Sequence, residues 1–200
     1  MQDSNTFRLN VRRRLKQQRR DLSRTERATR AKRIAASVRR ARVIKPGQRI
    51  ALYSAMGGEV PLDEIAAWAR RLGCELYLPR IVNWTERRMR FVRWTQETAL
   101  RRHRFGMVEP ATGEVISTRE LDLVLMPAVA IDRRGVRLGM GAGFYDRSFA
   151  HRRRTRWHRP RLIAVVYDFQ LVPELPSHTL DVPVDAVVSE AGLQRFFTAE

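Results

Sequence analysis

Three glycines alternate at Gly139, Gly141 and Gly143, preceded by Arg137-Leu138, separated by Met140 and Ala142, and followed by Phe144-Tyr145-Asp146. Glycine admits positive φ and lets backbone N–H groups approach an anion closely, and a helix N-terminus adds partial positive charge. Residues 137–146 therefore read as a phosphate cradle; the plainer alternative is a glycine-rich turn between packed elements. Arg137 supplies a cation. Asp146 can face the same phosphates only across an intervening cation, which points to Mg²⁺, an ion that takes one or two carboxylates together with phosphate oxygens and water. Arg8 and Arg12 form a second basic pair one helical turn apart. Two further carboxylates stand beside turns: Glu59 follows Gly57-Gly58, and Asp181 precedes Asp185 in a D-x-P-x-D arrangement. His103, His151, His158 and His178 show neither metal spacing nor a nearby nucleophile and are read as non-catalytic.

Elements that would position these groups follow from periodicity. Residues 121–126 are an apolar run ended by Pro127, suited to a buried strand, and a second apolar patch over 128–131 stops at Asp132. Phe144, Ser148 and Phe149 share one face of a helix expected to begin near Gly143. Phe7, Val11 and Leu15, at i, i+4 and i+8, predict a basic helix with a narrow apolar stripe over residues 6–22. Ser23 and Glu26 form a capping box that starts a second helix running toward Val43 and ending before Pro46-Gly47, with Ile34 and Val38 facing inward.

Residues 49–55 read as a strand ending in the loop that carries Glu59, the kind of strand edge where open α/β sheets bind ligands. A helix follows between Pro61 and Gly73, and on its own chemistry Glu59 could simply complement that helix dipole. Residues 76–79 and 89–92 read as strands around a polar turn at 83–87, residues 95–117 as a long irregular stretch, 162–167 as a strand and 183–189 as the last one. The alternation predicts an α/β domain, an open, mostly parallel twisted sheet with helices on both faces, three-layered and Rossmann-like. One domain over 1–200 is expected, with a basic helical segment at 6–43.

The formal net charge is +18, and residues 1–42 hold 13 Arg and 2 Lys against Asp3, Asp21 and Glu26. Another cluster lies at 152–161. Only three lysines occur in the chain, so the excess is almost wholly arginine; a GC-rich coding sequence and selection for anionic ligands explain it equally well. Weak, non-specific nucleic-acid binding follows from such a surface. No RNP-type aromatic pattern, GXXG clamp or zinc knuckle supports a dedicated RNA-binding protein. The single Cys74 excludes an internal disulfide and is expected as a buried thiol. No apolar run is long enough to span a bilayer and no signal-peptide pattern opens the chain, so a cytoplasmic, membrane-free monomer is expected.

The ten-residue stretch 137–146 resembles R-L-G-x-G-x-G-[FY]-Y-D, the signature of the 5-formyltetrahydrofolate cyclo-ligase family. Two N-terminal matches accompany it, Arg8 to Arg12 and then Arg19-Arg20-Asp21-Leu22-Ser23, and residues 105–110 resemble a family loop of the form [FY]-G-[IM]-x-E-P. The resemblance implies ATP- and Mg²⁺-dependent cyclisation of 5-formyltetrahydrofolate, polyglutamylated or not, to 5,10-methenyltetrahydrofolate. It implies ATP contacts at Arg8, Arg12 and residues 137–145 (Arg137, Leu138, Gly139, Met140, Gly141, Ala142, Gly143, Phe144 and Tyr145), with Arg137 and Tyr145 catalytic. Folate would lie against Ser54, Glu59 and residues 140–144, with Trp84 and Trp94 as packing or folate-wall residues, and Mg²⁺ against Asp146 and Asp181. Arg8 stands where the family usually has Lys. Ala142 replaces a lysine found in part of it, leaving Arg137 or Arg147 to cover that charge. A sugar-phosphate isomerase or CoA transferase on a similar sheet would also explain the loop, without needing Arg8 and Arg12.

Overall fold

Alternation of side chains builds the sheet. Ile50, Leu52, Leu76, Leu78, Leu123, Leu125, Ile163 and Val165 belong to one apolar cluster, while Ala51, Tyr77, Val124, Met126, Leu162 and Ala164 belong to another. Strands buried on both faces in this way are near-continuously apolar, as parallel strands must be. The computed structural model describes residues 2–103, 106–153 and 159–196, without the side chains of Gln2 and Asp3. Phe105, His158 and part of the 152–161 basic cluster lie outside the described residues.

Among the described residues the α-helices are α1 (Gln2–Asp21), α2 (Arg24–Arg40), α3 (Asp63–Arg71) and α4 (Phe144–Ser148), with short 3-10 turns at Ala150–Arg153 and Asp168–Gln170. The strands are β1 (Arg49–Ala51), β2 (Glu75–Asn83), β3 (Arg88–Arg93), β4 (Leu100–Arg102), β5 (Val108–Pro110), β6 (Val115–Ile116), β7 (Leu123–Pro127), β8 (Ala130–Ile131), β9 (Arg137–Leu138), β10 (Arg161–Val165), β11 (Ala186–Ser189) and β12 (Gly192–Arg195). Eight of them form one sheet in the order β12-β11-β10-β7-β1-β2-β3-β6. The five central strands, β11 to β2 in that order, pair in parallel, and the outer ones are antiparallel. Two-stranded ribbons, β4-β5 and β8-β9, stand apart from it.

Helices lie on both faces, but unequally. Ile34, Ala35 and Val38 of α2 and Ile65, Ala66 and Ala69 of α3 pack on one face. The other face is covered by Phe149 and Tyr145 around the short α4, packed on Phe91 of β3, together with loop residues such as Val182 and Val184. The capping box forms as the sequence requires: Ser23 Oγ accepts from Glu26 N–H at 3.1 Å and Glu26 Oε2 accepts from Ser23 N–H at 2.9 Å. Two expectations need correction. Residues 95–117 are not irregular but carry β4, β5 and β6, and the strand expected over 183–189 is followed by β12. No helix among the described residues is long and apolar enough to cross a membrane.

Strand order reverses at β1, since the chain runs from β1 to β2 on one side and then returns to place β7 on the other. Such a reversal leaves a crevice at the carboxyl ends of the strands, where ligands bind in open α/β sheets. β1 leads there to Tyr53, Ser54 and the Gly57-Gly58 turn, and β7 leads to Ala128 and Val129.

Candidate functional site

The glycine loop is aimed into that crevice by a tight ribbon. Asp132, buried, accepts from the N–H groups of Arg134 and Val136 at 2.8 and 2.9 Å and so closes the turn between β8 and β9. β9 returns antiparallel to β8, pairing Ile131 with Arg137. Gln170, also buried, donates to the carbonyls of Ala128 and Val129 at 2.8 and 2.9 Å, which fixes the backbone leaving β7. Gly141 and Gly143 then take φ of 104° and 71°, values that exclude most side chains.

A cavity of about 470 Å³ opens here, a volume suited to a small-molecule ligand. Of the residues singled out from sequence, Arg8, Arg12, Ser54, Glu59, Arg137, Gly139, Met140, Gly141, Ala142, Gly143, Phe144, Tyr145, Asp146 and Asp181 all line it. Leu138 does not. Its side chain is buried with Val11, Leu15 and Leu175, and its carbonyl accepts from Val129 N–H at 2.7 Å, so it anchors the loop rather than facing a ligand.

At one end the cavity is lined by guanidinium–carboxylate pairs. Arg137 donates through Nη2 to both oxygens of Asp146 at 3.0 Å, and Asp146 Oδ1 also accepts from Val182 N–H at 3.1 Å. Arg8 donates to Asp181 at 2.8 Å and to the carbonyl of Pro176 at 3.0 Å, while Asp181 accepts from His178 N–H at 2.9 Å. Arg12 donates through Nε to the carbonyl of Gly139 at 2.9 Å, and burial together with neighbouring Arg8 lowers its pKa. Arg137 is thus one cation already set beside Asp146.

One other detail differs from expectation. α4 is only five residues long and its cap, Gly143, is left-handed with no side-chain capping bond, so helix-dipole help for an anion is small. Among the described residues no three His, Cys, Asp or Glu side chains converge as a metal-ligand group. Asp146 and Asp181 nevertheless offer the hard oxygens that Mg²⁺ takes with phosphate and water, and Asp146 accepts from the N–H of Val182, the residue after Asp181.

Another part of the lining is apolar. Met56, Met89, Met107, Trp84 and Phe144 surround it, with Trp84 and Phe144 ring centroids 5.2 Å apart. Trp94 lies away from the cavity, under Arg70. Glu59 is 7% exposed, and one oxygen accepts from Met56 N–H at 3.1 Å. Its burial raises its pKa, opposed by that hydrogen bond and by Arg19. Glu59 is not the complement of the α3 dipole; Asp63 and Glu64 occupy that first turn. Burial also raises the phenol of Tyr145, which makes it a neutral hydrogen-bonding group at ordinary pH.

Residues 105–110 had no role readable from side-chain chemistry. Glu109 there is fully buried, accepts from Ile81 N–H at 3.0 Å and from Arg101 at 2.9 Å, and thereby clamps the loop bearing Met107 against β2. Arg19 is the residue that sequence reasoning passed over. It lies 1% exposed with Nη1 3.7 Å from Glu59 Oε1. The signal was its spacing, since Arg19 continues the stripe of Val11 and Leu15 at i+4.

Comparisons with known proteins give the family. Residues 4–190 match the model of the 5-formyltetrahydrofolate cyclo-ligase family. A 5-formyltetrahydrofolate cyclo-ligase from Haemophilus influenzae is 33% identical over 70% of this chain and 74% of its own length. One from Mus musculus is 28% identical over 93% of this chain and 95% of its own. The NMR structure of Aquifex aeolicus 5,10-methenyltetrahydrofolate synthetase superposes with a TM-score of 0.81 at 28% identity, covering 96% of this chain and 94% of that one. The chain belongs to the 5-formyltetrahydrofolate cyclo-ligase family.

Proposed function

We propose that this chain closes 5-formyltetrahydrofolate to 5,10-methenyltetrahydrofolate, consuming ATP with Mg²⁺ and releasing ADP and phosphate. An N-formyl amide is a poor electrophile whose oxygen would have to leave as hydroxide. Transfer of the γ-phosphoryl group breaks its bond to ADP and turns that oxygen into a phosphate ester. N10 then attacks the formyl carbon, phosphate departs with the C–O electron pair, and the N10 proton passes to solvent. Catalysis of this kind is mainly positioning and charge neutralisation.

The supporting observation is the cavity lining, which combines a glycine loop and three arginines with a buried carboxylate and apolar side chains. Arg8, Arg12 and the loop N–H groups would hold the oligophosphate. Arg137, fixed by Asp146, would offset charge at the reacting oxygens, with neutral Tyr145 donating a hydrogen bond beside it. Mg²⁺, held by Asp146 and Asp181, would supply further neutralisation of the phosphates. Glu59 can accept two parallel N–H bonds from the 2-amino pyrimidinone edge of the pterin, and Trp84 and Phe144 provide ring faces for it. The chain would act as a cytoplasmic monomer, and its basic surface would give only weak, salt-sensitive nucleic-acid binding.

Absorbance in the methenyl product band after mixing protein, ATP, Mg²⁺ and 5-formyltetrahydrofolate tests the reading. Product should require both nucleotide and metal. Turnover without ATP, or none with it from folded protein, overturns it.

A further inference from the structure

We propose that Arg19 is a positioning residue for Glu59, its guanidinium standing behind the cavity wall to hold the carboxylate charged and aimed at the substrate's pyrimidinone edge. The proposal rests on the reading of Glu59 as a folate ligand.

The geometry is unusual for an arginine. Arg19 sits on the apolar stripe of α1 and is buried to 1% exposure, which for a cation is costly without a counter-charge. Its guanidinium reaches Glu59 Oε1 at 3.7 Å and the carbonyl of Ala128 at 3.4 Å, while Nη2 lies 4.0 Å from Met140 Sδ and Nε is buried with no acceptor among the described residues. Arg19 does not line the cavity itself. Two backbones converge to make the pair possible, since a Cβ on Gly58 would lie 2.7 Å from the Arg19 carbonyl oxygen and one on Gly57 3.8 Å from Nη2. The Gly57-Gly58 turn therefore lets the Glu59 loop press against α1.

The groups around Glu59 define its charge. Arg19 faces it from α1, Tyr53 from the end of β1 and Tyr145 from α4, with Tyr167 and Arg20 acting on Arg19 in turn. Burial raises both Tyr53 and Tyr145, leaving them neutral. Burial also favours the protonated carboxyl of Glu59, and Arg19 is the cation opposing that. A protonated Glu59 would donate where the pterin also donates, so charge here is a condition of binding.

Calorimetric titration of the full chain with 5-formyltetrahydrofolate, from about pH 5 to about pH 9 to span a raised carboxylate, tests this in Arg19→Gln, Arg19→Lys, Glu59→Gln and the Arg19→Gln/Glu59→Gln double variant. A non-hydrolysable ATP analogue serves as the second ligand. Arg19→Gln should weaken folate binding about 10- to 100-fold near neutral pH, the range for a hydrogen bond to a charged group. Relative to the unsubstituted chain, the loss should be greatest between the carboxyl's midpoint in that chain and its higher midpoint in Arg19→Gln, and should recover as pH rises further, because the variant's carboxyl keeps its proton to higher pH. Arg19→Lys should move the low-pH limb upward by less, and nucleotide affinity should hold. Adding Arg19→Gln to Glu59→Gln should change little. A loss equal at every pH, a loss just as large without the carboxylate, or unchanged affinity overturns the proposal. If Arg19→Gln does not fold, Arg19→Lys decides: a shifted limb supports the proposal and an unshifted one overturns it. Unchanged folate affinity in Glu59→Gln would instead refute the reading of Glu59 itself, which the wild-type and single-variant titrations separate from any failure at Arg19.

Discussion

Guanidinium–carboxylate pairs stand at two places around the cavity, and they are built differently. At the glycine-loop end, Arg137–Asp146 and Arg8–Asp181 are short and hydrogen-bonded, with the carboxylates about a fifth exposed. At the far end, Arg19–Glu59 is buried on both sides and too long for a hydrogen bond. Pairs whose carboxylates are partly exposed can trade partners when a polyanion and its metal arrive, because water and ligand can satisfy whatever is released. A pair buried on both sides trades less readily; it sets the charge of one side chain. The same residue chemistry thus suits a changing ligand at one end and a fixed hydrogen-bonding edge at the other.

That contrast should break most severely at Asp146. Asp146→Asn removes the ionic partner of buried Arg137, and breaking a buried pair costs about 3 to 5 kcal/mol, less here because the carboxylate is partly exposed. Urea unfolding should show a lower midpoint with the slope unchanged. Affinity for an ATP analogue should fall too, with partial recovery at higher Mg²⁺. An unaltered midpoint would mean that Arg137 has other acceptors within reach.

Glu59→Gln should cost roughly 1.5 to 3 kcal/mol of folate affinity while leaving nucleotide binding nearly unchanged. Effects appearing at the opposite ligands would reverse the assignment of the two ends. In the unsubstituted chain, folate affinity should fall on acidification through a midpoint above the ordinary glutamate value of about 4.3, because burial raises Glu59. The stability consequence has the opposite sense. A carboxyl whose folded pKa is raised favours folding below its unfolded value, and that contribution is lost as pH rises through the folded value. Relative to the unsubstituted chain, Glu59→Gln should therefore fare better above that value than below it, a comparison that denaturation at several pH values would make.

The smallest expected effect lies away from both ends. Ser23→Ala removes the hydroxyl that accepts from Glu26 N–H, at about 1 kcal/mol of stability. Neither ligand should notice; a changed affinity for either would show that the join between α1 and α2 reaches the cavity.

Which of these features were legible in the sequence depended on how local their cause was. The capping box of α2 and the buried central strands announce themselves within a few residues, through hydroxyl-to-glutamate spacing and continuous apolar runs. β4 is exposed at every residue and β6 is two residues long, so neither carries a periodic signal. β12 pairs only at the sheet's edge and is half exposed. At the site, the glycine motif marked the loop, and every residue chosen there except Leu138 lines the cavity. What could not be read was partnership. Arg137 and Asp146 meet because a loop folds back over nine residues, and Arg8 and Asp181 because opposite ends of the chain converge. Arg19 was hidden by its type, since an arginine in a basic helix is normally solvated, although its place on the stripe with Val11 and Leu15 marked it as inward.

Helix α1 carries Arg8, Arg12 and Arg19, and turns of about 100° per residue bring all three to one side. At a rise of about 1.5 Å per residue, the eleven steps from Arg8 to Arg19 span about 16 Å. The helix is therefore a ruler laid along the cavity, with Arg8 and Arg12 in its lining and Arg19 behind the wall at Glu59. Val11 and Leu15 seat it in the core, so the three guanidiniums are held at fixed spacing and move only together. A ligand that shifts the helix at Arg8 and Arg12 would shift Arg19 with it, and thermodynamic linkage requires any such effect on a second ligand to be returned by the same factor.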